Sequence, residues 1–225
     1  MNRTFPLLAL SLLPLPLLAE IKLADPFTDH MVLQRDIPVQ IWGTSSPNAA
    51  VTIEFAGQTA KAAADASGRW KTKLKPLKAN ASPAELKASE TPAADKSVVT
   101  LKDVLVGEVW VGSGQSNMQG SVAGYANNDP VLAKLAEGSY PLIRIRTSSP
   151  GRSWELAEPA SIKGFSAILF GFGVPLQKRL NVPVGLTVGA VGGTPSGFWL
   201  SEEMYRSDAG CKAAAEKAKE SFDLA

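Results

Sequence analysis

Apolar and polar residues alternate along much of the first half of the chain. Val51, Ile53 and Phe55, for example, fall on one face of an extended segment and are separated by polar residues. About seven short segments of this kind, divided by turn residues, follow one another between residues 21 and 106. Alternation places one face of each strand on a core and the other in water. The pattern therefore predicts an N-terminal β-sandwich.

The second half of the chain has a different pattern of apolar residues. Three short apolar runs predict buried strands, at Val109–Val111, Pro141–Thr147 and Val184–Val188. Apolar residues recur at three- and four-residue steps between Phe165 and Leu180, which predicts a helix with a kink or break near Pro175. Strands that alternate with helices predict a parallel sheet with helices on both faces.

Two glycine turns each follow a predicted strand. Gly112–Gly114 end the first strand and Ser116 comes shortly afterwards, whereas Gly192–Gly193 follow the Val184–Val188 strand. Glycine permits a sharp turn, and ligands of parallel sheets gather at the carboxyl ends of the strands. We therefore expect the two turns to meet, with Ser116 as a candidate nucleophile. The alternative is a polar turn in which Ser116 caps a helix.

The composition restricts the kinds of partner and site that we expect. Among 225 residues, 45% are apolar and 20% charged, with a net charge of +2, so no block of charge attracts nucleic acid or a membrane surface. The one cysteine, Cys211, excludes an intrachain disulfide. Because His30 is the one histidine, a zinc site is disfavoured and we expect no metal.

The first 19 residues have the pattern of a secretory signal peptide. A positive start at Arg3 precedes a leucine-rich apolar run from Pro6 to Leu18, and the small residue Ala19 marks the cut. The run is too short to span a membrane, and prolines interrupt it. We expect a mature protein that begins near Glu20, is secreted or periplasmic, and has no membrane span.

Three side chains in the predicted sandwich admit two interpretations each. His30 is either a catalytic base with Asp29 as its partner or a hydrogen-bonded histidine in a turn, and the turn is favoured. Trp42 and Trp70 either stack on a sugar ring or pack in the core. Both tryptophans lie within strand patterns, which favours core packing, and the sandwich is then expected to buttress its neighbour rather than bind sugar.

Four segments together resemble one enzyme family. They are Phe27–Arg35 (FTDHMVLQR), Val104–Met118 (VLVGEVWVGSGQSNM), Asn181–Leu186 (NVPVGL), and Gly192–Pro195 (GGTP) with Trp199. In this order and spacing they are similar to the sialate O-acetylesterases and the related acetylxylan-esterase-like members of the SGNH (GDSL) hydrolase superfamily.

The resemblance implies an α/β plus all-β fold. A β-sandwich at residues 20–104 would precede the N-terminal portion of a flavodoxin-like SGNH α/β/α domain at residues 105–225. The α/β domain would be truncated, with an exposed sheet edge and exposed apolar surface.

The resemblance also implies a reaction. Ser116 would attack the carbonyl of an acetyl ester on a carbohydrate and form an acetyl-Ser116 intermediate, which water then hydrolyses. Its backbone N–H, together with N–H groups of the Gly192–Gly193 turn, would form the oxyanion hole. No metal or organic cofactor is implied, and the oligomeric state is left open.

The sequence departs from the family in three places. The Asp-x-x-His pair that supplies the base, and a Gly-Glu-x-Asn-like segment that supplies a further oxyanion donor, are absent from these 225 residues. In addition, Ser196–Phe198 replaces an apolar residue, a Glu and a small residue. We therefore expect a fragment of an esterase. The alternative is a catalytically inactive glycan-binding or interaction module that retains the esterase scaffold.

A protease or lipase is a weaker hypothesis. Those enzymes present their serine in a Gly-x-Ser-x-Gly turn, and Met118 stands where the second glycine would be.

The missing base leads to a prediction for the 225-residue chain. It is expected to hydrolyse p-nitrophenyl acetate slowly or not at all, because serine is a weak nucleophile without a base within hydrogen-bond reach. Release of p-nitrophenolate measures this. Rapid turnover that is lost in Ser116→Ala would contradict the expectation and make His30 the first candidate for the base.

Overall fold

The computed structural model describes residues 20–91, 97–195, 199–210 and 212–213. The predicted signal peptide at residues 1–19, the Ser196–Phe198 segment and Cys211 lie outside the described residues.

Strands dominate the first half of the described chain, and helices enter after residue 115. The strands are β1 (Lys22–Leu23), β2 (Val32–Gln34), β3 (Val39–Thr44), β4 (Ala50–Phe55), β5 (Gln58–Ala63), β6 (Arg69–Leu74), β7 (Asn80–Thr91), β8 (Val98–Gly114), β9 (Tyr140–Thr147), β10 (Glu155–Ala157) and β11 (Val184–Ala190). The helices are α1 (Ser116–Gln119), α2 (Val122–Tyr125), α3 (Pro130–Ala136), α4 (Pro159–Gly164), α5 (Ala167–Leu180) and α6 (Glu202–Ser207), with a 3₁₀ turn at Ala126–Asn128.

The first part of the chain contains two sheets that share one core. A three-stranded sheet has the order β1-β3-β6, and strands β4, β5, β7 and the start of β8 belong to an eight-stranded sheet. Ile41 of the small sheet and Ile53 and Leu86 of the large sheet are fully buried in the same apolar cluster. The alternation therefore sorts inward from outward residues as the sequence predicts.

The two tryptophans of the small sheet point to opposite faces. Trp70 is 4% exposed and lies in the core, as predicted. Trp42 is 39% exposed, so the prediction of core packing is wrong for this residue. The reason is the pleat of β3, where Ile41 points inward and its neighbour must point outward.

Strand β8 connects the two parts of the molecule. Its first half pairs antiparallel with β7 and parallel with β2, and its second half pairs parallel with β11. The predicted boundary between residues 104 and 105 falls inside this unbroken strand. Trp154, from the second part, is buried in the first core and donates its indole N–H to the carbonyl of Pro26 at 2.9 Å.

The second part is a mixed sheet with helices on one face. Strands β9, β11 and β8 are parallel, and β10 adds an antiparallel edge. Helices α2 to α5 contribute to the core on one face of this sheet. At Gly185 the other face meets Val32 and Trp154 instead, at 3.0 and 3.2 Å from where a Cβ would lie. The expectation of helices on both faces is therefore wrong for the described residues.

The order of the parallel strands also differs from expectation. A flavodoxin-like sheet places its first strand between the second and the third. Here the order is β9-β11-β8. The connection that follows β8 skips one strand position, and β11 occupies that position later in the chain. Beyond Gly107, no described strand pairs with the outer edge of β8, and Val111 is 68% exposed. Among the described residues this edge is open, and the truncation from which an exposed edge was expected stays a prediction.

Helix α5 runs through Pro175 without a break. Of the two predicted outcomes near this residue, a kink or a break, the break is therefore wrong. None of the helices in the described part of the chain is long and apolar enough to cross a membrane.

The crossing point of β8 gives a stability prediction. A Cβ at Gly107 would lie 1.9 Å from the backbone oxygen of Pro183, which cannot move aside easily because it accepts the N–H of Glu108. Gly107→Ala is expected to lower the free energy of unfolding by about 1–3 kcal/mol or more through overpacking. Urea unfolding measures this change.

Gly171→Ala is the matched control for that variant. A Cβ at Gly171 meets no atom within 4 Å, and the residue lies inside α5, so alanine is expected to stabilise by about 0.5–1 kcal/mol. Equal effects of the two substitutions would contradict the steric explanation.

Candidate active site

Ser116 is the first residue of α1, directly after the end of β8. Gly114 ends the strand with a φ of 134°, a conformation that side chains rarely adopt. The residue at the N-cap position is Gln115, and its side chain makes no capping bond. The alternative in which Ser116 itself caps a helix is therefore wrong. The hydroxyl belongs to an exposed residue at the start of an uncapped helical turn.

Met118 fixes α1 against the sheet. Its sulfur would lie 2.8 Å from a Cβ at Gly112, and Leu169 of α5 closes the same space at 3.0 Å. The hydroxyl of Ser166 lies 3.7 Å from the sulfur. The absence of a side chain at Gly112 thus lets the thioether pack onto β8. This contact positions Ser116 two residues before Met118.

The two glycine turns lie side by side, as the strand ends predict. Strands β8 and β11 are neighbours, with Gly114 opposite Ala190. A Cβ at Gly192 would lie 3.7 Å from both Cα and Cβ of Ser116. The structure thus brings Gly192 into contact range of the candidate nucleophile.

The backbone donors of the second turn are not equivalent. The N–H of Gly192 donates to Oε1 of Gln119 at 2.7 Å. The N–H of Gly193, which has a φ of 80°, donates to no described residue. Both hydroxyl and N–H of Thr194 bond back to Val191, which closes the turn. Of the two predicted oxyanion donors, Gly193 is available in this state and Gly192 is occupied.

Sequence reasoning missed Gln119. Residues three apart on a helix share a face, so Gln119 lies on the same side of α1 as Ser116. That spacing could have identified Gln119 as a neighbour of the nucleophile. Its bond to Gly192 could not have been predicted, because it depends on how β8 and β11 pair.

A groove opens on the other side of α1. It has a volume of about 570 Å³ and is bordered by Asn117, by Tyr125 at the end of α2, and by Ile168 and Gly171 of α5. Sites for small ligands have volumes of roughly 300–1,000 Å³. The groove is large enough for a small ligand and reaches α1 at Asn117, but Ser116 is not among the residues that border it.

His30 is not part of this site. Its Nδ1 lies 2.6 Å from Asp103, which also accepts two bonds from Arg144 at 3.0 and 3.2 Å. Asp103 precedes Gly114 by eleven residues on β8, which at about 3.3 Å per residue separates them by roughly 35 Å. Asp29 instead accepts a backbone N–H from β8. With a φ of 65°, His30 is a hydrogen-bonded turn residue, as favoured from the sequence.

Comparisons with known proteins point to one group of enzymes. No protein-family model matches the chain. Sialate O-acetylesterase from Homo sapiens is 32% identical over 208 residues, which cover 80% of this chain and 39% of that protein. The enzyme of the same name from Rattus norvegicus is 29% identical over 213 residues, 83% of this chain and 38% of that protein.

A solved structure is similar over the same part. It is a carbohydrate acetylesterase from Xanthomonas citri, with a TM-score of 0.75 and 31% identity over 84% of this chain and 44% of that one. The chain is thus a homologue of the sialate O-acetylesterases, which are carboxylic ester hydrolases, and the resemblance predicted from the sequence is confirmed. It spans about two fifths of the length of the curated relatives it matches, 39% in the human case.

The contact between Gln119 and Gly192 leads to a structural prediction. Gln119→Ala removes the acceptor of the Gly192 N–H, so its amide proton is expected to exchange with solvent about five- to tenfold faster, as for the loss of one hydrogen bond. Hydrogen exchange followed by NMR measures this rate. Gln115→Ala is the control, since that side chain makes no capping bond. Unchanged protection of Gly192 in Gln119→Ala would contradict the contact.

Proposed function

We propose that this homologue of the sialate O-acetylesterases carries the nucleophile of a serine carbohydrate O-acetylesterase. The observation that supports this most directly is the position of Ser116, at the start of an uncapped turn and beside Gly192. The names of the relatives support acetyl esters on sugars as the substrate class.

The reaction has two steps. In the first, Oγ of Ser116 attacks the acetyl carbonyl carbon, the bond to the sugar oxygen breaks, and the sugar leaves with a proton. In the second, water attacks the acetyl carbon of acetyl-Ser116, which releases acetate and restores the hydroxyl. In both steps negative charge develops on the carbonyl oxygen.

The oxyanion is held by backbone donors. The N–H groups of Ser116 and Gly193 are the first donors, and the N–H of Gly192 joins them once it leaves Gln119. Preorganised donors matter because they need no reorientation as charge develops, and loss of one typically costs about 10²–10³ in rate.

The base that deprotonates Ser116 lies outside these 225 residues. The sequence holds one histidine, and His30 is tied to Asp103, far along β8 from the nucleophile. We assign the role to an Asp–His pair supplied from elsewhere, as the resemblance implies. The 225 residues then correspond to a part of the esterase that binds the acetyl group but does not turn over efficiently.

The finer architecture belongs to the same proposal. Residues 20–104 form the β-sandwich, and residues 105–225 form the N-terminal portion of the SGNH α/β domain. The shared core of the two N-terminal sheets supports the first unit and the parallel β8–β11 pair supports the second, with the boundary inside the continuous strand β8. The leucine-rich pattern of residues 1–19 supports export to the periplasm or the medium.

An added base provides the test of this assignment. A general base typically contributes about 10²–10⁴ in rate, so imidazole in solution is expected to raise the Ser116-dependent hydrolysis of p-nitrophenyl acetate at least about tenfold. The Ser116-dependent rate is the difference between the native chain and Ser116→Ala at each imidazole concentration, because imidazole also cleaves the ester by itself.

Two further measurements complete this test. Intact mass is expected to show one acetyl group on the native chain and none on Ser116→Ala. His30→Ala is the matched control and is expected to behave like the native chain. Equal rates in the native chain and Ser116→Ala at all imidazole concentrations would contradict the assignment of Ser116 as the nucleophile.

A further inference from the structure

A second groove lies on the three-stranded sheet, away from Ser116. It has a volume of about 820 Å³ and is bordered by Trp42 and Gln40 of β3, by Trp70 and Lys71 of β6, and by the Asp65 turn. None of these residues belongs to the esterase site. Its volume falls within the usual range for small-ligand sites, roughly 300–1,000 Å³.

Trp42 offers an exposed ring that is already fixed in place. The indole is 39% exposed, and the ring of Phe27 holds it edge-on, with centroids 4.7 Å apart and planes at 78°. A ring held in this way loses little conformational freedom when a ligand stacks on it. Its apolar face fits a flat apolar surface such as the C–H face of a pyranose.

Trp70 borders the same groove from the core side of the sheet. The side chain is buried, and its Nε1 has no hydrogen-bond partner among the described residues. The backbone closes the space beside Gly43: a Cβ there would lie 1.9 Å from the carbonyl oxygen of Lys22 and 2.9 Å from the Trp70 ring carbon Cζ2. Trp70 therefore forms part of the wall of the groove, and its N–H is not offered to a ligand.

The charges of the groove favour an anion. Lys71 is exposed and lies directly opposite Trp42 in the β3–β6 ladder, and it has no ion-pair partner within the described ranges. Arg69 and Asp65, by contrast, already pair with each other at 3.2 Å. Bonds from the hydroxyl of Ser67 and the backbone of Arg69 hold the pKa of Asp65 well below its usual range. The carboxylate is thus satisfied within its own turn, and Lys71 remains as the cation for a ligand.

We propose that this groove binds a saccharide that carries a carboxylate. The pyranose ring stacks on Trp42, the carboxylate faces Lys71, and the amide of Gln40 meets ring hydroxyls. Binding here needs neither Ser116 nor an acetyl ester. The groove would hold an acidic polysaccharide or glycan while the esterase site works on it.

Galacturonic acid and galactose form a matched pair of probes, because they differ only in the carboxylate at C6. Titration of the ¹⁵N-labelled 225-residue chain with each sugar, followed by two-dimensional NMR, is expected to shift the indole N–H signal of Trp42. Galacturonic acid is expected to bind at least about fivefold more tightly than galactose, and the difference is expected to shrink at high salt.

Three variants separate stacking from charge. Trp42→Ala is expected to weaken both sugars about fivefold or more through the loss of stacking. Lys71→Gln, an exposed change that leaves the fold intact, is expected to bring galacturonic acid down to the affinity of galactose. Trp110→Ala is the matched control and is expected to change neither sugar: Trp110 is 42% exposed and held edge-on by Phe172 at 5.1 Å.

Each outcome of these titrations either supports or contradicts the proposal. Absence of a shift at Trp42, equal affinity for the two sugars, or equal losses in Trp42→Ala and Trp110→Ala would each overturn the proposal. Ser116→Ala is expected to bind both sugars as the native chain does. A failure of the esterase assignment therefore leaves this result unaffected, and a failure here leaves the esterase assignment unaffected.

Discussion

The hydrogen-bond ladder of β8 is the constraint on which the rest of the structure depends. One strand of 17 residues pairs with β7 and β2 at its start and with β11 at its end. Its amino-terminal half is held by the N-terminal core, so its carboxyl end leaves that core in a fixed direction. Ser116 follows shortly after this end, so the same strand fixes its position. The N-terminal sheets are thus joined to the α/β part through a shared backbone strand, and side-chain contacts add to this link.

Buried arginines give the second link between the two parts. Strand β9 presents its isoleucines to the helices and its arginines to the opposite face. There Arg144 meets Asp103, and Arg146 meets Asp25 at 2.6 Å. A buried guanidinium without a partner is strongly destabilising. Both carboxylates come from the N-terminal part, so the two ion pairs stabilise the packing of that part against this face of the sheet.

Periodicity predicted the elements well and their assembly less well. The strand at Arg69–Leu74 follows from local alternation, and the succession of strands and helices predicted a parallel sheet but not its strand order. The same alternation also placed Trp42 outward, since Ile41 beside it points inward, although the presence of both tryptophans in strands obscured this. Arg144 and Arg146 could not have been predicted as buried, because charged residues in a strand pattern look like solvent positions. Their burial depends on carboxylates distant in sequence.

The candidate site also has a part that the sequence predicts and a part that it does not. The turn at Ser116 is determined by residues close to it in sequence. Gly114 ends the preceding strand, and Met118 packs at Gly112 of the same strand. The turn can therefore be predicted from the sequence. In the proposed chemistry, the oxyanion hole depends on a neighbouring strand, and its Gly192 N–H donates to Gln119 until a substrate oxygen competes for it. That exchange replaces one hydrogen bond by another, so its net cost is small against the gain from a charged acceptor. Under the proposed chemistry, the acetyl group itself completes the hole that stabilises its transition state.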